Sequence, residues 1–180
     1  MASIFEEAHL QRFFEHYTVN CVFDVGANEG QYATMLRQKV GYQSDIISFE
    51  PIPAAAEILR QKSRKDTRWY VEQIALDRLV GKATFNVMEG KKFSSLHTPD
   101  TQGHDLEFAQ GAADVLRSFV GLQSELSIKK IYNGTPDYKT VIDYYVSEGF
   151  ELSAFVPNNE GHFPRLIEID CIMYNRLIDV

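Results

Sequence analysis

The chain has 180 residues, 44% hydrophobic and 24% charged, which excludes a disordered, collagen-like or low-complexity polymer and suits one ordinary domain, residues 1–180. Eighteen Lys and Arg stand against 25 Asp and Glu, a net charge of −7; with an isoelectric point near 5.2, this disfavours a nucleic-acid partner and favours a small molecule. Met1-Ala2-Ser3-Ile4-Phe5-Glu6-Glu7 has no basic leader and no unbroken apolar run, and no later stretch stays uncharged long enough to span a bilayer, so a cytoplasmic protein without membrane insertion is expected.

Ser3-Ile4-Phe5-Glu6 reads as a capping box, followed by Phe5, Ala8, Phe13 and Tyr17 at approximate helical spacing, so an N-terminal helix over residues 1–18 is expected. Cys21-Val22-Phe23-Asp24-Val25-Gly26 is a short apolar run ended by Gly, the pattern of a parallel strand buried on both faces. Asn28 is positioned to cap a helix running to about Lys39, with Gly41 as its stop. The unit then repeats. Asp45 to Glu50 forms a second strand, Pro51 and Pro53 open a helix through Arg60, and Trp69 to Ala75 forms a third strand.

Ala83 to Met88 alternates like a hairpin strand between Gly81 and Gly90. From Asp105, the recurrence of Leu106, Ala109, Ala113, Leu116 and Val120 predicts a helix. Gly121 to Ile128 suits a strand, and Thr135-Pro136-Asp137 supplies a cap, an N1 proline and a first-turn acid for a helix ended by Gly149. Phe150 to Val156 and Leu166 to Tyr174 follow as strands, most simply an antiparallel pair. The order describes a three-layer α/β fold, mostly parallel, with an antiparallel C-terminal strand pair.

Chemistry concentrates at Asp24-Val25-Gly26-Ala27-Asn28-Glu29-Gly30, between the first strand and the first covering helix, where ligands bind at the carboxyl ends of parallel strands. Gly26 and Gly30 permit close backbone approach. A dinucleotide loop needs Gly-x-Gly-x-x-Gly, but Asn28 and Gln31 occupy the second and third glycine positions, and no Gly-Lys-Ser/Thr triplet offers a phosphate loop. Glu50, ending the second strand, is placed to accept both ribose hydroxyls of a nucleoside; the alternative is that the glycines make a tight turn and Glu50 caps the next helix.

The pattern Asp-x-Gly-x-Asn-x-Gly resembles the first motif of class I methyltransferases, with Asn for the usual middle glycine. More blocks narrow the resemblance to the FkbM family: Asp24 to Tyr32, Ser48-Phe49-Glu50-Pro51, Ala75-Leu76, Ser94-Ser95-Leu96, Asp100 to Glu107, Gln123 to Ser127, Tyr132 to Tyr138, Gly149 to Leu152 and Ile167 to Cys171, in the family's order. The resemblance implies a Rossmann-like methyltransferase sheet and S-adenosyl-L-methionine as cofactor. It implies that Asp24, Gly26, Ala27, Asn28 and Gly30 form the methionine and nucleoside cradle, with Glu50 and Pro51 at the ribose. Gln73 and Ala75 would then flank the adenine, Ser94 and Ser95 edge the pocket, and Asp100 and Gln102 lie beside the transferring methyl group. The acceptor it implies is a small-molecule hydroxyl on a sugar, lipid-linked or secondary-metabolite substrate.

One junction departs from the family. There the Asp-Thr-Gln-Gly block ends a central strand, whereas here Leu96 is followed at once by His97-Thr98-Pro99-Asp100, and proline is nearly excluded from central strands. The sheet is therefore expected to be short of one central strand, which leaves a non-catalytic cofactor-binding or interaction protein of the same fold as the alternative function. A base is needed only for a poorly acidic acceptor hydroxyl; Asp100, His104 and Glu125 are the catalytic candidates, with His97 beside them.

The five histidines show no paired metal-ligand spacing, so no metal is expected. Cys21 and Cys171 read as buried structural thiols without a disulfide. Arg60, Lys62, Arg64, Lys65 and Arg68 read as a solvated face, and Tyr132, Tyr138, Tyr144 and Tyr145 as helix packing or the lining of an acceptor cleft. Asn133-Gly134-Thr135 is a glycosylation acceptor only in form. No oligomeric state is indicated.

Overall fold

The computed structural model describes residues 4–76, 86–87, 94–95, 105–129, 136–158 and 164–178. The chain divides into two compact units, Met1–Leu76 and Asp77–Asp179. In the first, helix α1 (Ile4–His16) precedes β1 (Cys21–Val25), α2 (Gln31–Met35), β2 (Asp45–Phe49), α3 (Pro53–Ser63) and β3 (Trp69–Glu72). The three strands are parallel in the order β1-β2-β3, with Val22, Ile46 and Trp69 in one row and Asp24, Ser48 and Val71 two rows on. Side chains of those rows include the buried Ile46, Trp69, Asp24 and Ser48, and Ala33, Leu36, Val40, Ala56 and Leu59 of the helices complete the core. On the opposite face Phe23, Val25 and Tyr70 are exposed.

The expected N-terminal helix forms, but it buries Glu6 and Leu10 while Phe5 and Ala8 face solvent. Its packing partner explains the shift, because Phe14 meets the buried Tyr42 edge-on at 4.9 Å and so sets which side of α1 turns inward. Ser3 of the capping box lies outside the described residues. Helix α2 continues as a π-helical turn, Leu36–Val40, and stops at Gly41 as expected, with that glycine in the left-handed conformation.

Arg37, in that turn, is a feature that hydrophobic periodicity does not reveal. Its guanidinium donates to Asp66 Oδ2 (2.7 Å), to the carbonyls of Tyr42 and Ser44 (both 2.8 Å) and to the carbonyl of Arg68 (3.0 Å). One planar fork thus fixes the segments leading into β2 and β3. Burial raises the Asp66 carboxyl pKa, but the Arg37 and Arg68 hydrogen bonds outweigh it and leave it below the ordinary value. Arg60, Lys62, Arg64, Lys65 and Arg68 are all exposed.

In the second unit, β4 (Asn86–Val87) and β5 (Ser94–Ser95) make a short antiparallel ladder, the first inside the hairpin strand expected at Ala83–Met88. Then come α4 (Asp105–Gly111), α5 (Ala113–Leu116), β6 (Gly121–Ser127), α6 (Tyr138–Ser147), β7 (Phe150–Asn158) and β8 (Glu168–Asn175). The helix anticipated from Asp105 breaks between Gly111 and Ala113, as a glycine with no side chain to stabilise the next turn allows. Strands β7 and β8 are antiparallel as expected, and β6 also pairs antiparallel with β8, which therefore lies between the two. A bulge between Leu152 and Ala154 shifts the register of β7. The expected absence of a central strand concerns residues 96–100, outside the described residues.

Helix α6 starts two residues later than the Thr135 cap implies. Asp137 is its N-cap, with the carboxylate accepting from the Lys139 N–H at 2.8 Å, because a short acid bonding two residues on satisfies a free donor of the first turn. The tyrosines of α6 serve packing: Tyr145 is buried and donates to Ser124 Oγ (3.1 Å), and Tyr144 donates to the Ala109 carbonyl (3.1 Å). They join Leu116, Leu126, Val141, Phe150, Ile169, Cys171 and Met173 in one core. Cys171 is the buried thiol anticipated; Cys21 is only partly buried, and burial followed by the Asp45 charge raises its pKa. Asn175, also buried, closes the unit by donating to the carbonyls of Arg117 (2.9 Å) and Phe119 (3.1 Å).

Replacing Arg37 by Met should lower stability by about 2–4 kcal/mol, since Asp66 and three carbonyls lose a charged donor together. Arg37→Lys should recover less than half of that loss, because an ammonium cannot span the four acceptors. Urea unfolding of the three proteins checks both.

Candidate functional site

The loop after β1 is built from three left-handed residues at alternate positions: Gly26 (φ 71°), Asn28 (φ 49°) and Gly30 (φ 80°). Glycine adopts this conformation freely, and Asn is among the few other residues that tolerate it, which accounts physically for Gly-x-Asn-x-Gly. The N–H groups of Gly26 and Ala27 both donate to the Phe49 carbonyl (3.0 and 3.1 Å), so the loop folds back over the end of β2. The Gly30 N–H closes the turn on the Ala27 carbonyl at 2.7 Å.

The two glycines are required for different reasons. A Cβ on Gly30 would stand 2.5 Å from Leu59 Cδ1 and 3.0 Å from Trp69 Cζ2, so the core excludes it. A Cβ on Gly26 would meet nothing within 4 Å, so there the loop borders open space. Gly30, not Asn28, is the N-cap of α2, and its carbonyl accepts from the Thr34 N–H and hydroxyl. The helix begins at Gln31, so Asn28 lies two residues before its N-cap.

Glu50, only 4% exposed, bonds across two connections. Its Oε2 accepts from the Asn28 N–H and its Oε1 from the Ile52 N–H, each at 2.8 Å. A carboxylate offers about four acceptor positions, so both oxygens retain capacity for further donors. Beside it, Asp24 is 6% exposed and accepts from the Ser48 hydroxyl at 2.9 Å; Ser48 in turn accepts from Trp69 Nε1–H at 2.9 Å. Burial pushes the Asp24 carboxyl up to about 6, the Ser48 hydrogen bond opposes that, and the Glu50 charge adds to it.

Asp24, Gly26, Ala27, Asn28, Gly30 and Glu50 are thus brought together. Pro51, partly buried, leads from Glu50 toward α3. Gln73 is exposed and accepts from Arg60 Nη2 at 3.0 Å, and Ala75 is partly buried. Ser94 and Ser95 form β5, opposite Val87 and Asn86. Glu125 lies in β6 opposite Asp170, with its side chain exposed. Asp100, Gln102 and His104, with His97, lie outside the described residues. Ser48 and Trp69 escaped the reading of the sequence as site residues; a serine two residues before Glu50, on the buried side of an apolar strand, was the available signal. Among the described residues no group of three His, Cys, Asp or Glu side chains could hold a metal ion, and no helix is long and apolar enough to cross a membrane.

Several solved structures share this architecture. Aeropyrum pernix fibrillarin in complex with natively bound S-adenosyl-L-methionine superposes with a TM-score of 0.56 at 14% identity, over 86% of this chain and 66% of that one. The methyltransferase domain of bacterial CtHen1 gives 0.55 at 13% identity, over 93% and 95%. The fold is that of the class I methyltransferases. A further example of this methyltransferase fold, the glycopeptide N-methyltransferase MtfA complexed with S-adenosyl-L-methionine, gives 0.53 at 11% identity, over 93% of each chain. The chain spans just under two thirds of the fibrillarin's length. No family model matches the sequence, and no curated protein matches it.

The raised Asp24 pKa gives stability a definite pH dependence. Between the ordinary value of 3.8 and about 6, the folded protein keeps a proton that the unfolded chain has released, so this group's contribution falls as pH rises through that window. Asp24→Asn should remove a loss of about 3 kcal/mol above pH 6 and leave acid stability nearly unchanged. Denaturant unfolding of wild type and variant across the window would show their stabilities diverging with rising pH.

Proposed function

We propose that residues 1–180 form one S-adenosylmethionine-dependent methyltransferase domain of FkbM type, acting on the oxygen of a sugar, lipid-linked or secondary-metabolite acceptor. The observation that carries this reading is the cradle of the first unit: a left-handed loop bordering open space at Gly26, beside two buried carboxylates. A nucleoside bearing a cationic amino acid suits that donor and acceptor set. The two bound S-adenosyl-L-methionine neighbours support the cofactor, and the block order from Asp24 to Cys171 supports the family.

In this reading Gly26, Ala27, Asn28 and Gly30 shape the floor of the cradle, and Asp24 faces the cationic amino acid portion. Glu50 uses its remaining acceptor positions for the ribose hydroxyls, with Pro51 beside it. Gln73 and Ala75 flank the base, and Ser94, Ser95 and Gln102 are the further cofactor contacts that the family resemblance implies. When bound, the cofactor supplies a methyl group already activated on a sulfonium, so alignment and exclusion of water provide most of the acceleration. Asp100, His104 or Glu125 takes the acceptor hydroxyl proton where the hydroxyl is weakly acidic. The net charge of −7 favours a small acceptor over the RNA named for one of the neighbours, a putative RNA methyltransferase from Pyrococcus horikoshii.

A second reading, a shortened member that binds cofactor without turnover, is motivated by Pro99 immediately before Asp100. Turnover abolished by Asp100→Ala with cofactor affinity intact would reject it. Binding without methyl transfer to any acceptor pool would favour it.

Equilibrium titration with S-adenosylhomocysteine tests the main reading. Wild type should bind, and Glu50→Gln should lose roughly 10- to 100-fold in affinity as a charged acceptor disappears. Gly26→Ala should weaken binding while lowering stability by only about 1–2 kcal/mol of left-handed strain. Gly30→Ala adds a core clash to that strain and should lose more stability. No binding to wild type at millimolar ligand sinks the proposal.

A further inference from the structure

The buried polar chain Trp69–Ser48–Asp24 runs across all three parallel strands. Indole can only donate, so the Trp69 N–H must occupy an acceptor site on Ser48 Oγ. The single proton of that hydroxyl is then committed to Asp24 Oδ2. No other side-chain partner of Asp24 occurs among the described residues, and no fully buried side-chain oxygen there lacks a partner; Oδ1 therefore opens to solvent. The ring of Trp69 is itself fixed, because it packs where a Gly30 side chain would stand. Direction, occupancy and rigidity all converge on one carboxylate orientation.

We propose that Trp69 is a positioning residue of the cradle: through Ser48 it locks the Asp24 carboxylate with one oxygen turned outward for the cationic amino group of the ligand. This rests on the reading of the loop as an S-adenosylmethionine cradle. The charged group that faces the carboxylate is Glu50, which disfavours its ionisation, so a cation arriving at Oδ1 meets an acceptor already oriented and bearing unrelieved repulsion.

Trp69 is the only tryptophan of the chain, so its emission reports this contact directly. In ligand-free wild type, indole emission should change with a midpoint at about pH 6. The transition should vanish in Asp24→Asn and shrink in Ser48→Ala. Emission that stays flat through this range, or a midpoint that persists in Asp24→Asn, overturns the relay.

The ligand arm uses S-adenosylhomocysteine, which keeps the amino group. Trp69→Phe should weaken binding roughly three- to tenfold, and should cost nothing further in a Ser48→Ala background, because the indole acts through that hydroxyl. Equal losses in both backgrounds overturn the proposal. Should Trp69→Phe fail to fold, the emission arm, which retains Trp69, decides alone. An intact pH midpoint in a wild type that binds no S-adenosylhomocysteine supports the relay and rejects the cofactor reading, so the two failures are distinct.

Discussion

One buried carboxylate organises the first unit. Glu50 accepts the N–H of Asn28 from the β1–α2 connection and the N–H of Ile52 from the β2–α3 connection, so two loops that share no sequence proximity are tied to a single side chain. Each bond is charge-assisted and sheltered from water, the setting in which such bonds are strongest. The left-handed run from Gly26 to Gly30 is further held by the Phe49 carbonyl, by its own turn and by Lys62 Nζ donating to the Glu29 carbonyl at 2.6 Å. The site's geometry therefore depends on the residue that also carries its charge.

That economy has an electrostatic consequence. Asp24 and Glu50 are both nearly excluded from solvent, and the Glu50 charge adds to the burial that raises the Asp24 pKa. At Asp24 a neutral side chain would be kinder to folding above pH 6, as a buried charge without a cation usually costs stability. The arrangement makes sense where a positive ligand completes it, since a perturbed carboxylate such as Asp24 in a formed cradle marks function more often than packing. The Arg37 clamp offers the contrast: there the cation is built into the chain, Asp66 is held below its ordinary pKa, and the result is purely structural.

What could be read from the sequence follows from which forces are local. Strands β1 and β2 are apolar runs ended by Gly26 and Glu50-Pro51, and α3 announces itself by Pro53; β7 and β8 stand on either side of a sequence rich in Pro, Asn and Gly. These depend on neighbours along the chain. The helix caps fall two residues beyond Asn28 and Thr135 because several cap-capable residues stand close together; Gly30 takes the first cap, and the Asx bond of Asp137 decides the second. Ser48 meets Asp24 across 24 positions, Trp69 meets Ser48 across 21 and Arg37 meets Asp66 across 29, and no periodicity encodes such pairs. The Asp-x-Gly-x-Asn-x-Gly cradle was legible; the floor beneath it was not.

Asn28 itself shows why the departure from a middle glycine is tolerable here. Its left-handed backbone costs more than glycine's, by about 1 kcal/mol or less for an Asn. Against that, an Asn chain has fewer conformations to lose on folding, which recovers a similar amount. The Glu50 bond to its N–H then fixes the conformation without regard to the side chain. The substitution leaves the loop ordered before any ligand arrives, and a cradle ordered in advance spends less of its binding free energy on arranging itself. The physical requirement at this position is a residue able to turn left-handed with a free N–H to give, and Asn meets it as well as Gly does.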